Sequence, residues 1–418
     1  MATALKKYVD DSWDFRTADT KADTHCYHSY PAMMIPQIAA RLIAEYGKRA
    51  KTLFDPYCGT GTSLVEANIK SINAYGTDLN PLARLIAETK TLRIEPQILD
   101  LYLKEFSDFS FSLNFQIKKL NVVTPNFKNI DFWFKKETKE KLATVKEFID
   151  SIKDKKVRKF FLIAFSETVR ESSLTKNSEF KLFRMNEIQR EKFHPDVFSI
   201  MTSKLARNRI GLQSYLKKVD RTSAFAKIYN FDSSENIDEI EKNSIDIVVT
   251  SPPYGDSKTT VAYGQFSRLT NQWLEVENAT QVDNILMGGR SKKIEKTGFD
   301  MIDKIVEQVG NSDEKRAKEV YSFYADYIRS ICNISKVVKK NGYACYVVGN
   351  RRVKNITLPT DEITKDIFKQ HGFKYENTFI RNIPNKRMPK KNSPTNKVGH
   401  KSTTMNNEYI VVMQKYSA

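Results

Sequence analysis

Two short stretches carry residue types that could do chemistry. The first is Asp55-Pro56-Tyr57-Cys58-Gly59-Thr60-Gly61-Thr62. Gly59 and Gly61 have no Cβ, so the backbone here can come close to a ligand, and a helix starting at this turn aims its free N–H groups at it. No Gly-Lys-Ser/Thr follows, which disfavours triphosphate hydrolysis, and the spacing is not that of the GxGxxG dinucleotide fingerprint. Asp78 closes the next apolar run, where an acidic side chain accepts hydrogen bonds from ribose hydroxyls. Together these features indicate a nucleoside-containing ligand. The second stretch is Ser251-Pro252-Pro253-Tyr254, directly after an apolar run. Two prolines cannot continue a strand ladder and they hold the backbone rigid. Ser251 and the Pro252 carbonyl are then available to accept hydrogen bonds from an amino group, and Tyr254 offers a ring on which a base could stack.

The elements around these stretches must bring them together. Residues 51–70 read as strand, turn and helix, and SINAYGTDLNP as a second short strand ending at Asp78. Residues 106–224 carry apolar residues at helical spacing among many lysines, with no clean alternating strands, and are expected to form a helical insert. The α/β pattern resumes at SIDIVVTSPPY, where Ile245, Ile247, Val248 and Val249 suit a strand buried on both faces. A helix near 315–338 precedes NGYACYVVGN, a strand opened by an Asn-Gly turn. A helix near 360–370 follows, with Thr360 as N-cap. Two strands, KYENTFIRN and EYIVVMQK, end the chain around a polar loop at about 384–406.

The first stretch resembles motif I of the S-adenosylmethionine-dependent amino-methyltransferases, DPxxGxGT. Tyr27-His28-Ser29-Tyr30-Pro31-Ala32-Met33-Met34-Ile35-Pro36 resembles the HPYPA-type segment that precedes it in many DNA-modifying members. Ser251-Pro252-Pro253-Tyr254 resembles their motif IV, (D/N/S)PP(Y/F/W), in the Ser form typical of cytosine-N4 enzymes. Asn230-Phe231-Asp232-Ser233 is similar to the segment whose acid contacts the cofactor adenine, and Gly349-Asn350-Arg351 and Arg381–Arg387 look like the tail of this branch. The resemblance covers most of residues 25–100 and 225–418, and reaches the insert only through FKLFR at 180–184. It implies a doubly wound, mostly parallel, Rossmann-like α/β methyltransferase sheet with an antiparallel terminal hairpin. S-adenosylmethionine would be held by Tyr30, Pro31, Asp55, Pro56, Tyr57, Gly59, Gly61, Thr62, Asp78 and Asp232. The catalytic residues would be Ser251, Pro252, Pro253 and Tyr254. It divides the chain into a cofactor part (1–105), the insert as a target-recognition region (106–224) and an acceptor-base part (225–418).

An exocyclic amine on a base is a poor nucleophile because its lone pair is delocalised into the ring. Accepting its protons and fixing it in line with a methylsulfonium raises its reactivity. A stacked base in duplex DNA cannot reach such a pocket, so it must flip at a cost of a few kcal/mol, which stacking on Tyr254 would offset by about 1–3 kcal/mol.

Composition agrees with a nucleic-acid partner. The 418 residues carry 68 Lys+Arg against 50 Asp+Glu, a net charge of +18, and 40% hydrophobic residues, too apolar for a disordered basic tail. Part of the excess is concentrated: Arg381, Lys386, Arg387, Lys390, Lys391, Lys397 and Lys401 fall in one stretch without Asp or Glu, expected to track DNA phosphates. Met287–Lys293 is a second candidate contact. Cys26, Cys58, Cys332 and Cys345 show no metal-site or disulfide spacing, so no metal is expected. The lack of a Pro-Cys dipeptide argues against cytosine-C5 methylation. With no apolar run of membrane length and no signal-peptide core, the expected setting is the bacterial cytoplasm. The expected partners are double-stranded DNA and, functionally, a cognate restriction endonuclease. Three alternatives stand beside this reading: DNA adenine-N6 methylation, RNA N2-guanine methylation and a non-catalytic DNA-binding subunit. The RNA enzymes that resemble this chain carry a sizeable N-terminal RNA-binding domain, whereas only about 50 residues precede Asp55 here.

Overall fold

The central sheet is built from short apolar runs whose successive side chains enter two different cores. In chain order its strands are β1 (Lys7–Val9), β2 (Thr52–Asp55), β3 (Asn73–Thr77), β4 (Ala226–Tyr229), β5 (Ile245–Thr250), β6 (Val338–Val348), β7 (Phe373–Asn382) and β8 (Asn407–Lys415). In space they run β1-β7-β8-β6-β5-β2-β3-β4. Every neighbouring pair is parallel except those of β8, which is antiparallel to both β6 and β7. The computed structural model describes residues 6–114, 122–177, 179–383, 391–392, 402–403 and 407–416.

Helices cover both faces of the sheet. Phe54, Val248, Ala344, Tyr346, Val411 and Met413 face α9 (Asp300–Gly310), α10 (Glu314–Val337) and α11 (Thr360–Gln370). Leu53, Ile247, Val249, Cys345, Val347, Ile410 and Val412 face α1 (Pro36–Tyr46) and α2 (Thr62–Ile69). Burial on both faces explains why these strands read as continuous apolar runs, each buried large side chain contributing about 1.5–3 kcal/mol.

The strand order reverses between β2 and β5. From β2 the chain moves outward to β3 and β4, and from β5 it moves the other way to β6. Open α/β sheets bind ligands in the crevice at such a switch point, beyond the carboxyl ends of the strands. Asp55 ends β2, Asp78 follows β3, Phe231 and Asp232 come just past β4, and Ser251 follows β5.

The region between β3 and β4 is helical. After α3 (Pro81–Thr91) come α4 (Pro96–Asn114), α5 (Lys136–Ser151), α6 (Lys155–Ser172) and α7 (Val197–Val219). The helical stretch begins about ten residues earlier than the lysine-rich pattern suggests, because α4 runs straight through residues 105 and 106. Asp154 and Asp196 cap α6 and α7, each accepting from backbone N–H groups of the first turn. These helices share one core with Tyr27, Tyr30, Leu82 and Ile86, and with Phe266, Leu269 and Trp273 of α8 (Tyr263–Trp273). The insert is therefore seated on α3 and α8.

Two local expectations are corrected. Thr360 is the first residue of α11 and Pro359 precedes it as the cap position, so the threonine hydroxyl bonds to Tyr324 Oη (3.0 Å) instead of capping. Asn341-Gly342 lies within β6 rather than opening it. Asn341 takes φ 66°, and the register against β5 shifts between Ile245 and Ile247, as at a bulge.

Candidate active site

The two glycines of the β2–α2 turn do different work. Gly61 caps α2 with φ 75°, and a Cβ there would lie 2.9 Å from Ala87 Cβ of α3. It permits helix packing. Gly59 also has positive φ (48°), but a Cβ there would meet nothing nearer than Tyr57 O at 4.0 Å, and the residue lines a cleft. Gly59 keeps that space open.

Asp55 is buried and fully engaged. Its carboxylate accepts from Thr250 Oγ1 (2.5 Å), the Tyr57 N–H (3.1 Å) and Ser63 Oγ, tying the first stretch to the end of β5. Burial pushes its pKa up to about 6 against the pull of these donors. Asp78 holds the turn from the other side, its two oxygens accepting from the Gly59 N–H (3.0 Å) and the Asn80 N–H (2.7 Å). Burial raises its pKa to about 6 as well. Each carboxylate oxygen has a second lone pair, so Asp78 retains acceptor capacity toward the cleft.

Asn80 and Tyr263 join this group without having been singled out in the sequence. Asn80 Oδ1 caps α3 by accepting from the Leu82 N–H, while Nδ2 donates to Tyr30 Oη (2.8 Å) and Ser267 Oγ (3.1 Å). Tyr30 stacks on Tyr263 with centroids 5.9 Å apart and planes at 16°. The Asn-Pro pair at 80–81 is a readable helix start, but nothing local announces Tyr263. Asp232 lines the opposite wall, one oxygen accepting from the Ser234 N–H at 2.8 Å.

At the end of β5, Ser251 Oγ donates toward Val347 O (3.1 Å) and toward Tyr254 Oη (3.4 Å). Its one proton is thereby committed within the protein, leaving the oxygen lone pairs to accept from whatever enters. Tyr254 Oη in turn donates to Glu408 Oε1 at 2.8 Å. Burial, then the nearby Glu408 charge, push the Tyr254 phenol well up, so it stays protonated.

One cleft therefore gathers Tyr30, Pro31, Asp55, Pro56, Tyr57, Gly59, Thr62, Asp78, Asp232, Ser251 and Pro253. Gly61 stands behind it against α3, Pro252 is buried, and Tyr254 is turned toward β8. Leu286, Met287 and Ser257 also line the cleft, from the segment after Tyr254. Lys292 of the 287–293 stretch is paired with Asp326, while Arg290 and Lys293 are exposed. Among the described residues no group of acidic, Cys or His side chains could hold a metal ion.

Arg381 corrects the expectation for the basic stretch. It is 4% exposed, ion-paired with Glu408, and donates to Trp13 O (2.8 Å) and Asp14 O (3.2 Å). A guanidinium spent on these partners within the fold is not available to phosphate. Lys386, Arg387, Lys390, Lys397 and Lys401 lie outside the described residues. Lys391 is described by its backbone alone, paired in a two-residue ladder with Thr403.

With this geometry the relatives of the chain can be weighed. Over 443 aligned residues it is 39% identical to the type II methyltransferase M.MvaI of Kocuria varians, covering 99% of this chain and 96% of that protein. The chain belongs to the type II methyltransferases. A second member, M.MjaII of Methanocaldococcus jannaschii, is 28% identical over 145 residues, 33% of this chain and 27% of that one. No protein-family model matches. Among solved structures, the rRNA methyltransferase aviRa of Streptomyces viridochromogenes covers 97% of this chain and 94% of its own at 11% identity and a TM-score of 0.33, too slight a likeness to bear on substrate. As a type II methyltransferase, the chain is a DNA methylase of the restriction–modification class, and its cofactor is S-adenosylmethionine. The residues present fit that group: a carboxylate with spare acceptor capacity at Asp78, a second acid at Asp232, and an open backbone cradle at Gly59. Among the described residues of this type II methyltransferase, no helix is long and apolar enough to cross a membrane.

Proposed function

We propose that this enzyme methylates the exocyclic N4 of cytosine within a short specific sequence of double-stranded DNA. It would protect cytoplasmic host DNA from a cognate restriction endonuclease carried on a separate chain. The observation that carries the reading is Ser251 Oγ, an oxygen whose proton is directed to acceptors within the protein, Val347 O and Tyr254 Oη. Such an oxygen accepts from an amine and repels the keto oxygen of thymine or guanine at the same place. That makes the site selective for amino-bearing bases, and the serine form of motif IV favours cytosine over adenine.

Bound S-adenosylmethionine supplies an electrophilic methyl group on a sulfonium. Asp78 would accept from its ribose hydroxyls, Asp232 would face its adenine, and Tyr30 and Pro31 would lie along its methionine part. Ser251 and the Pro252 carbonyl orient the target amine, and the Tyr254 ring receives the flipped base. Transfer would be direct and in-line, without a covalent enzyme intermediate; burial pushes the thiols of Cys58, in the cofactor turn, and Cys345 well up. The basic residues between Lys386 and Lys397 would follow the phosphates, and the insert would contribute to target recognition. Binding carried by phosphate contacts weakens steeply with salt.

The test is nucleoside analysis of DNA from a host expressing the protein. N4-methylcytosine is expected. N6-methyladenine in its place would refute the choice of base, and transfer to tRNA but not duplex DNA would refute the choice of nucleic acid. Binding without transfer to any nucleic acid would leave a non-catalytic subunit.

A further inference from the structure

We propose that Glu408 is a positioning residue for Tyr254 and the outlet for the proton that leaves the methylated amine. The proposal rests on the reading of Ser251 as the acceptor for that amine. Three groups make a chain from the cleft to the start of β8: Ser251 Oγ lies 3.4 Å from Tyr254 Oη, which donates to Glu408 Oε1 at 2.8 Å. The first link is long, and such bonds tighten once substrate is in place.

Glu408 is held in register. It sits directly across the β7–β8 pair from Arg381, and the two side chains form an ion pair. Arg381 is itself fixed by the carbonyls of Trp13 and Asp14, so the carboxylate cannot swing away from Tyr254. The pair has more structure than a chance surface bridge, because both partners are largely buried, with side chains 5% and 16% exposed. The glutamate is the more open of the two and has a route to water.

The chemistry requires such an outlet. When the amine takes the methyl group, an N–C bond forms, the S–C bond breaks, and the nitrogen becomes cationic with one proton to lose. That proton passes to Ser251 Oγ as the Ser251 hydroxyl turns from Val347 O to Tyr254 Oη and gives up its own proton there, and the Tyr254 proton passes to Glu408. The product amine is neutral, both hydroxyls are restored, and Glu408 releases its proton to solvent. The Tyr254 phenol serves as a relay and never as a free phenolate.

Single-turnover transfer to duplex DNA at saturating cofactor tests this. Tyr254→Phe keeps the stacking ring and the Arg381–Glu408 pair but cuts the chain. Glu408→Gln keeps an acceptor for Tyr254 but cannot take the proton. Each should slow transfer about 100-fold with DNA and cofactor Kd values within about twofold, and the double variant should be no slower than either single one. A merely structural Glu408 would slow the Tyr254→Phe enzyme further, which overturns the proposal, as does Tyr254→Phe transferring at the wild-type rate. If Glu408→Gln does not fold because Arg381 is left unpaired, Tyr254→Phe decides alone. The methylated base made by the wild-type enzyme reports separately on the amine acceptor, so methylated DNA amines with an indifferent Tyr254→Phe would overturn the relay only.

Discussion

Gly59 and Gly61 stand two residues apart in one turn, yet alanine should fail differently at each. At Gly61 the left-handed backbone costs a side chain about 1–2 kcal/mol, and the new methyl would press on Ala87 Cβ at 2.9 Å. Overpacking of that kind costs about 1–3 kcal/mol, so Gly61→Ala should lose about 2–5 kcal/mol of stability. An unfolding entropy of about 2.1 cal/mol/K per residue over 418 residues is about 0.9 kcal/mol/K, which turns that loss into a Tm drop of about 2–6 °C. Gly59→Ala meets no neighbour, so its Tm should fall by about 1–2 °C from the backbone term alone. Its methyl instead enters the cofactor cradle, where about 1–3 kcal/mol of lost fit weakens binding about 5- to 150-fold. Scanning calorimetry without ligand and titration with S-adenosylmethionine separate the two effects. An unchanged Kd for Gly59→Ala would refute the claim that this backbone floors the cofactor site. An unchanged Tm for Gly61→Ala would refute the claim that α3 dictates the second glycine.

Asp78→Asn should weaken cofactor binding about 10- to 150-fold, the worth of hydrogen bonds to a charged acceptor. Because its pKa lies near about 6, wild-type affinity should tighten as pH rises through that value and the variant should stay flat, which titrations from pH 5 to 8 would check. Thr250→Val removes one donor from the buried Asp55 carboxylate and should cost about 1–3 kcal/mol in urea unfolding. The folded-state pKa of Asp55 is raised, so the folded state holds the extra proton between about pH 4 and 6 and loses stability as pH rises across that window. The penalty for Thr250→Val should accordingly be larger at pH 8 than at pH 5. Arg381→Met should lose about 3–5 kcal/mol by leaving Glu408 unpaired, yet leave the salt slope of DNA binding unchanged. A shallower slope would restore Arg381 as a phosphate contact.

The sheet was legible because strands buried on both faces leave continuous apolar runs, as at 245–250, and because turns at their ends need glycine, proline and acids. The start of the insert was less legible: α4 extends from Pro96 with an apolar face that only packing against α7 and its neighbours explains. Basic character misled at Arg381, since charge in a sequence does not say whether the side chain faces water or a carboxylate across the sheet.

The residues by themselves determined that a nucleoside-type cleft and an amine-accepting tetrapeptide belong to one chain, because those functions need particular atoms at short spacing. Tertiary structure alone decided which atoms are free. Thr250 reaches Asp55, the Val347 carbonyl accepts from Ser251, and Glu408, more than 150 positions beyond Tyr254, accepts from its hydroxyl. These three hydrogen bonds run across the sheet and not along the chain. The difference between a lone pair that can bind substrate and one already used is therefore a property of the fold.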